Sequence, residues 1–331
     1  MSRLFSSRTK HNGATEICNR CLHAFSDKDV YDRHLSYCCK LDAQRLDLPK
    51  APDNILKFES LYKTLKVPFV IYADFESFLV PIETPNTTST EPYQKHVPAS
   101  FCYYKVRCDG AHVSQPVVYR GDGVVNKFYE YLLKELSSVS DELSNFVEMI
   151  LTPDEEEVFQ ASTDCFICHE WLGDDRVRHH DHVSGEFFGA AHKNCNLQVK
   201  FRKGTKQGNK PRLPVIIHNA RNYDTHLLME GLGKFAGSMR INCIPQNSEK
   251  YLSFSLGELV FVDSLQFLNS SLEKLVETLD DSQFVHLTRF YPKKEQFDLL
   301  KRKGVFCYDY LTDKSVFEET QLPPKNHFTP N

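Results

Sequence analysis

No stretch of this 331-residue chain approaches the roughly 20 consecutive apolar residues that a membrane-spanning helix requires. Nor does an apolar run stand behind the opening MSRLFSSRTK, so the start is not a secretory signal. The opening is basic and contains serine, yet too little follows in that style to make a transit segment. An excess of one charge is missing as well. The formal net charge is −4, which excludes a uniformly basic coat and confines any nucleic-acid contact to local patches. No internal repeat is visible. These absences point to a protein that works inside the cell and is not secreted. What is present is a 41% hydrophobic composition, sufficient for one large or two ordinary domains.

In that compartment the eleven cysteines read as thiols or metal ligands rather than disulfides. Four fall between Cys18 and Cys39, and three between Cys165 and Cys195. Cys102, Cys108, Cys243 and Cys307 are scattered and read as ordinary thiols.

Texture divides the chain. Residues 1–40 form a short Cys/His unit, and residues 41–66 a polar linker. PFVIYADFES is a buried strand that ends in carboxylates. Residues 83–98, rich in Thr, Pro and Ser, read as a loop. FCYYKVRC and QPVVYRG form a hairpin. Helical spacing of apolar residues runs from Val124 to about Ile150. LPVIIHN and ELVFVDS are further strands, and YDTHLLMEGLGKF and SSLEKLVETL are helices. Residues 67–158 and 213–331 thus form an α/β domain. Residues 159–212 are a second Cys/His unit inserted in it.

The first unit has the spacing Cys18-x2-Cys21-x12-His34-x3-Cys38, which suits a tetrahedral zinc site, with Cys39 an alternative last ligand. Phe25 and Tyr31 stand where a ββα finger needs its two core residues. So small a unit buries too little surface to fold alone, and metal supplies the folding energy. Contact with DNA is a further expectation, limited to about three base pairs for one finger.

In the second unit Cys165-x2-Cys168 and His192-x2-Cys195 again make a set of four zinc ligands. Between the pairs stand His179, His180, Asp181 and His182, and Asn196 follows the last cysteine. This segment resembles the endonuclease VII group of His-Me finger nucleases. The resemblance implies that Asp181 and Asn196 hold a catalytic metal and that His182 activates water. Two departures stand against it: His192 replaces a cysteine, and His179 occupies a position where an acid is usual. A structural zinc module without chemistry is the alternative. The tail KFRKGTKQGNKPR carries six basic residues and no acid, so Lys200, Arg202, Lys203 and Lys206 are candidates for phosphate contact.

Asp74-x-Glu76 at a strand end places two carboxylates on the same side, which calls for a cation such as Mg²⁺ or Mn²⁺. A second segment, His218-Asn219-Ala220-Arg221-Asn222-Tyr223-Asp224, lies at another strand-to-helix junction. Together these resemble the first two exonuclease motifs of family B DNA polymerases. Asp224 would be a further metal carboxylate, with Asn219 and Tyr223 positioning a primer end. The order YADFES, GAAHKNCN, HNARNYD, FVDS and KGVFCYDYL resembles the protein-primed family B polymerases of Polinton/Maverick-like mobile elements over residues 66–328. That resemblance implies an RNase H-like 3′–5′ exonuclease fold with flanking helices and hydrolysis of the 3′ nucleotide at two metals. It also implies DNA as a single-stranded 3′ end or primer–template, a terminal protein as partner, and the nucleus as compartment. The third exonuclease motif, Tyr-x3-Asp, and the palm carboxylates are not found; Asp263, Asp309 and Asp313 lack that spacing. The chain is therefore expected not to polymerise DNA. Two other functions stay open: a non-catalytic zinc-dependent nucleic-acid-binding protein, and a His-Me finger endonuclease.

Overall fold

The computed structural model describes residues 15–41, 49–51, 53–55, 58, 61–82, 94–110, 114–145, 147–198, 212–235, 237–247 and 250–328. The basic residues Lys200, Arg202, Lys203 and Lys206 lie outside them. The chain forms two compact units that divide between Glu59 and Ser60. Among the described residues no helix is long and apolar enough to cross a membrane.

The first unit holds a two-stranded antiparallel ribbon, β1 (Glu16–Ile17) and β2 (Ala24–Phe25), followed by α1 (Lys28–Cys38). Asp27 starts the helix by accepting hydrogen bonds from the N–H groups of Asp29 (2.7 Å) and Val30 (3.2 Å), which satisfies two of its free donors. None of the helix's residues is buried. Ile17 and Cys18 are the buried pair, and the Phe25 ring lies 5.8 Å from Tyr31 and 4.7 Å from His34.

The second unit is a mixed α/β structure built on a seven-stranded sheet. Its strands are β3 (Phe69–Pro81), β4 (Gln94–Arg107), β5 (Val117–Arg120), β8 (Leu213–Ile217), β9 (Ile241–Pro245), β10 (Tyr251–Leu256) and β11 (Leu259–Asp263). The spatial order is β5-β4-β3-β8-β11-β10-β9. β3, β4 and β5 form an antiparallel meander, whereas β3, β8 and β11 run parallel. Parallel neighbours need a crossover connection. Helix α2 (Val124–Ser144) precedes β8, and α5 (Asp224–Leu232) lies between β8 and β11.

Alternation along β3 decides what each face carries. Ile71 and Phe75 are buried against α2, where the Phe75 and Phe128 rings meet edge-on at 4.7 Å; Asp74 and Glu76 point the other way. Tyr129 of α2 donates its hydroxyl to the Leu228 carbonyl of α5 at 2.9 Å. The two helices approach so closely that a Cβ on Gly231 would stand 2.6 Å from Val125 Cγ1.

The inserted module consists of α3 (Pro153–Ala161), the antiparallel pair β6 (Val177–His180) and β7 (Phe187–Ala191), and α4 (Lys193–Gln198). It has its own apolar cluster, in which Phe159, Ile167, Leu172, Phe187, Ala190 and Ala191 are buried.

Several local readings change. The helix from Val124 stops at Ser144 rather than near Ile150, because the following backbone is bonded to the module: Val147 N–H donates to the His182 carbonyl and Ile150 N–H to that of Gly185. Residues 94–98, read as loop, belong to β4. They pair with the far half of β3 beyond a bulge at Glu76/Ser77, and that half is covered by Leu311 and Phe317. The helix in SSLEKLVETL shrinks to α6 (Leu272–Glu277), with no buried residue. Beyond it run α7 (Val285–Phe290) and α8 (Lys294–Lys301).

Candidate functional site

In the first unit Cys18, Cys21, His34 and Cys38 bring one donor atom each to within 4.8 Å of one another, so the cluster could hold zinc. Cys18 Sγ lies 3.8 Å from Cys38 Sγ, and Cys21 Sγ 3.3 Å from His34 Nε2. The knuckle closes through Leu22 N–H on the Cys18 carbonyl, with Leu22 held at φ +60°. Backbone N–H groups, chiefly that of Cys21, lower the Cys18 thiol to about 6. Burial and the neighbouring sulfurs raise Cys38 to about 11. One thiolate is ready and another is opposed by its neighbours, which a divalent cation resolves.

The inserted module repeats this pattern with Cys165, Cys168, His192 and Cys195. His169 follows the knuckle at φ +59°, as Leu22 does. Cys168 Sγ lies 3.4 Å and Cys195 Sγ 3.8 Å from His192 Nδ1. His192 Nε2 donates to the Trp171 carbonyl at 3.1 Å, so this bond fixes the tautomer that leaves Nδ1 free as a ligand. Burial raises the Cys165 thiol, but the N–H groups of Cys168, His192 and Ile167 outweigh it and bring it down to about 7. Cys195 is pushed up to about 12 by burial and the nearby sulfurs.

The remaining polar residues of the module are engaged as follows. Asn196 Oδ1 is hydrogen-bonded to His179 Nδ1 at 2.7 Å, and His179 is buried. Asp181 spends Oδ1 on the Val183 N–H at 2.7 Å, which shapes the β6–β7 turn, and its Oδ2 lies 3.9 Å from Cys108 Sγ. The His182 ring packs edge-on to His180 at 4.6 Å, and burial lowers its pKa. Asn196 thus meets His179, and the carboxylate of Asp181 is engaged in loop geometry. A 490 Å³ cavity lies over this region, lined in part by His179, His180, Asp181, Phe166 and Phe188.

A looser group of acids forms a carboxylate rim, outside the two groups whose donor atoms stand close enough to hold a metal. Asp74 and Glu76 project from β3, and Asp224 begins α5. Asp74 is exposed along the strand, but the surrounding walls crowd it, and desolvation raises its pKa. Desolvation and then the Asp74 charge raise Glu76 to about 7. Asp224 is only 3% exposed; burial, then Asp74, Asp263 and Glu76, push it up to about 7. The Asp74 charge acts on both Glu76 and Asp224, and Asp224 also feels Glu76, whereas Asp74 itself is held down in part by His218. Asp224 Oδ1 is buried with no hydrogen-bond partner. Such an orphaned acceptor costs on the order of 1–3 kcal/mol unless something else satisfies it.

Asp263 shows the contrast. Also buried, it is fully occupied as a cap: it accepts from the N–H groups of Asn219 (2.8 Å), Leu265 (2.9 Å) and Arg221 (3.2 Å). It holds the HNARNYD turn in place, including Asn219 at φ +64°. Asn219 Oδ1 accepts from Asn222 Nδ2 at 2.5 Å. The Tyr223 hydroxyl meets His96 Nδ1 at 2.9 Å, across from the far half of the β3–β4 hairpin.

Residues that sequence spacing did not single out also belong here. Cys102 is the direct cross-strand partner of Asp74. Tyr308 feels Glu76 and Asp74, after burial, as causes of its raised pKa. Phe306, Cys307 and Leu311 line a 430 Å³ cavity together with Asp74, Glu76, Cys102 and Arg120. No family model and no curated protein sequence matches the chain.

Proposed function

We propose that the carboxylate rim is a divalent-metal site for phosphodiester hydrolysis, the 3′–5′ exonuclease centre of an RNase H-like domain. The observation that carries this reading is the buried, unpartnered Oδ1 of Asp224, whose carboxyl feels the charges of Asp74 and Glu76, both with raised pKa values. Three carboxylates in one field with an empty acceptor are matched by a hard cation. The sheet supports the fold half of the reading, since an antiparallel meander continues into two parallel strands, with Asp74 and Glu76 on β3, where the two parts join. Asp74, Glu76 and Asp224 would hold Mg²⁺ or Mn²⁺, which when bound supplies an activated water and neutralises the phosphate. The chain's own contribution is positioning. Asp263 fixes the turn that carries Asn219 and Tyr223, and His96 orients the Tyr223 hydroxyl toward a DNA 3′ end.

In this reading the chain is the N-terminal portion of a protein-primed family B DNA polymerase of a mobile element. It acts on DNA in the nucleus, with a terminal protein as partner. The inserted module serves as a zinc-held brace or DNA contact rather than as a second nuclease, because Asn196 is paired with His179 and Asp181 is engaged at the turn.

The test is cleavage of 5′-labelled single-stranded DNA by the purified chain with Mg²⁺, Mn²⁺ or chelator. Stepwise loss from the 3′ end is expected with metal only, falling on the order of 100-fold or more in Asp74→Ala and in Asp224→Ala. A rate unchanged in both variants sinks the proposal. A rate lost in Asp181→Ala but kept in Asp74→Ala transfers the activity to the inserted module.

A further inference from the structure

Two large rings of the inserted module stand at its surface rather than in its core. The pairing of β6 with β7 shifts by one residue between His179 and His180, so Phe188 has no partner across the ribbon and is turned out of the cluster that buries Phe187. Phe166 sits in the first knuckle between the buried Cys165 and Ile167, and its N–H donates to the Ala190 carbonyl at 2.8 Å. Both rings are exposed, Phe166 at 41% and Phe188 at 39%. They lie nearly parallel, with 17° between their planes and 6.1 Å between centroids, and each packs on the buried His179. Gly189 makes this approach possible: at φ +155°, a Cβ there would stand 3.0 Å from Phe166 Cβ and Cδ2. The rings line the 490 Å³ cavity from the module, and Leu65, Lys66, Pro68 and Cys108 line it from the residues that flank β3 and β4.

The polar groups of the lining are of distinct kinds. His179 Nδ1 meets Asn196 Oδ1 at 2.7 Å; the amide oxygen accepts, so Nδ1 carries the proton and Nε2 of the neutral ring is an acceptor. Asp181 commits Oδ1 to the Val183 N–H, while Oδ2 has the Cys108 thiol, a weak donor, 3.9 Å away. Asp109 is neutralised by Arg107 at 2.6 Å, and the exposed Lys66 supplies a positive charge. An aromatic wall, two acceptors and a cation match a planar heterocycle that carries donors on its edge and a phosphate. We propose that this cavity binds a guanine nucleotide, with the base stacked on Phe166 and Phe188, its N1–H and amino group directed to Asp181 and His179, and its phosphate to Lys66. Pockets for ligands of this size hold roughly 300–1,000 Å³. Guanine presents two adjacent donors on its pairing edge, whereas adenine and cytosine set an acceptor beside their amino group, which a carboxylate repels. A free nucleotide and an unpaired base within a strand offer the same chemistry.

This inference rests on no step of the hydrolase reading. The full chain, with both Cys/His clusters filled by zinc, is titrated calorimetrically with the monophosphates of guanosine, adenosine and cytidine, and with guanosine itself. Guanosine monophosphate is expected to saturate the chain and to bind more tightly than the other two monophosphates, on the order of tenfold. Phe188→Ala weakens it on the order of tenfold, through lost stacking. Phe188 lies outside the module's apolar cluster, so this variant is expected to keep its fold, with the Trp171 emission of the parent chain as the control. Lys66→Ala weakens the monophosphate and leaves guanosine unchanged. Asp181→Asn keeps an acceptor for the Val183 N–H but replaces the second oxygen by a donor, and the preference for guanine disappears. An oligothymidylate with one guanine separates the two sources: tighter binding than the monophosphate assigns the site to an unpaired base in a strand, weaker binding to a free nucleotide. Absence of saturable binding overturns the proposal, as do equal affinities for the three monophosphates or affinities that Phe188→Ala and Lys66→Ala leave unchanged. No cleavage is measured, so failure here leaves the nuclease test untouched.

Discussion

The two Cys/His clusters offer the same donor set, three cysteines and one histidine, yet they sit on very different supports. In the first, the helix that supplies His34 and Cys38 has no buried residue, and Ile17 and Cys18 are the buried pair. In the second, the ligands stand on a closed apolar cluster of Phe159, Ile167, Leu172, Phe187, Ala190 and Ala191. The same coordination chemistry is therefore the fold itself in one place and an addition to a fold in the other. A β-ribbon of two residues per strand cannot offset the entropy of ordering the 23 residues from Glu16 to Cys38, which costs on the order of 1–2 kcal/mol per residue, without the metal.

The largest expected effect follows directly. Chelation should abolish amide-exchange protection throughout Lys28–Cys38, a loss on the order of 10 kcal/mol, while the pairing of Val177–His180 with Phe187–Ala191 keeps measurable protection. Equal loss in both regions would break the comparison. Of intermediate size is Phe187→Ala in the zinc-loaded chain, expected to cost about 3 kcal/mol in denaturant melts of the module, since Phe187 packs edge-on to Phe159 at 6.4 Å within the cluster. If that substitution costs nothing, the module too rests on its metal. The smallest is Arg178→Ala. It removes the pair with Glu156 at 2.7 Å and the stacking over Phe159 at 4.3 Å, and only a small shift of the melt is expected because both charges are solvated. A loss of several kcal/mol in the same melts would show that α3 is held by its ion pair rather than by apolar contact.

Ligands close in sequence were legible before any coordinates. Both sets of four follow from spacing, because a knuckle and a helical turn are local structures, and the alternation that puts Asp74 and Glu76 on one side of β3 is equally local. What could not be read were partners set by register across long or irregular connections. Cys102 beside Asp74 depends on how β4 aligns with β3 through a bulge at Glu76/Ser77, and no turn signal encodes that alignment. The pairing of Asn196 with His179 depends on how α4 meets β6. The hairpin of Ile241–Pro245 and Tyr251–Leu256 was missed because β9 is largely exposed and carries weak alternation. The helix Pro153–Ala161 spans the unbroken acids Asp154–Glu157 and was not singled out from the sequence. Its signal was nevertheless present: Thr152 and Glu155 form a capping box, with Pro153 in the first turn.

The carbonyl that fixes the tautomer of His192 belongs to the only tryptophan in the chain, and that indole is 74% exposed. Occupancy of one cluster is thereby wired to the chain's single indole, whereas the other cluster has none. Emission from Trp171 distinguishes the two zinc ions without labels or mutations: the ion whose loss shifts the spectrum is the one bound in the inserted module.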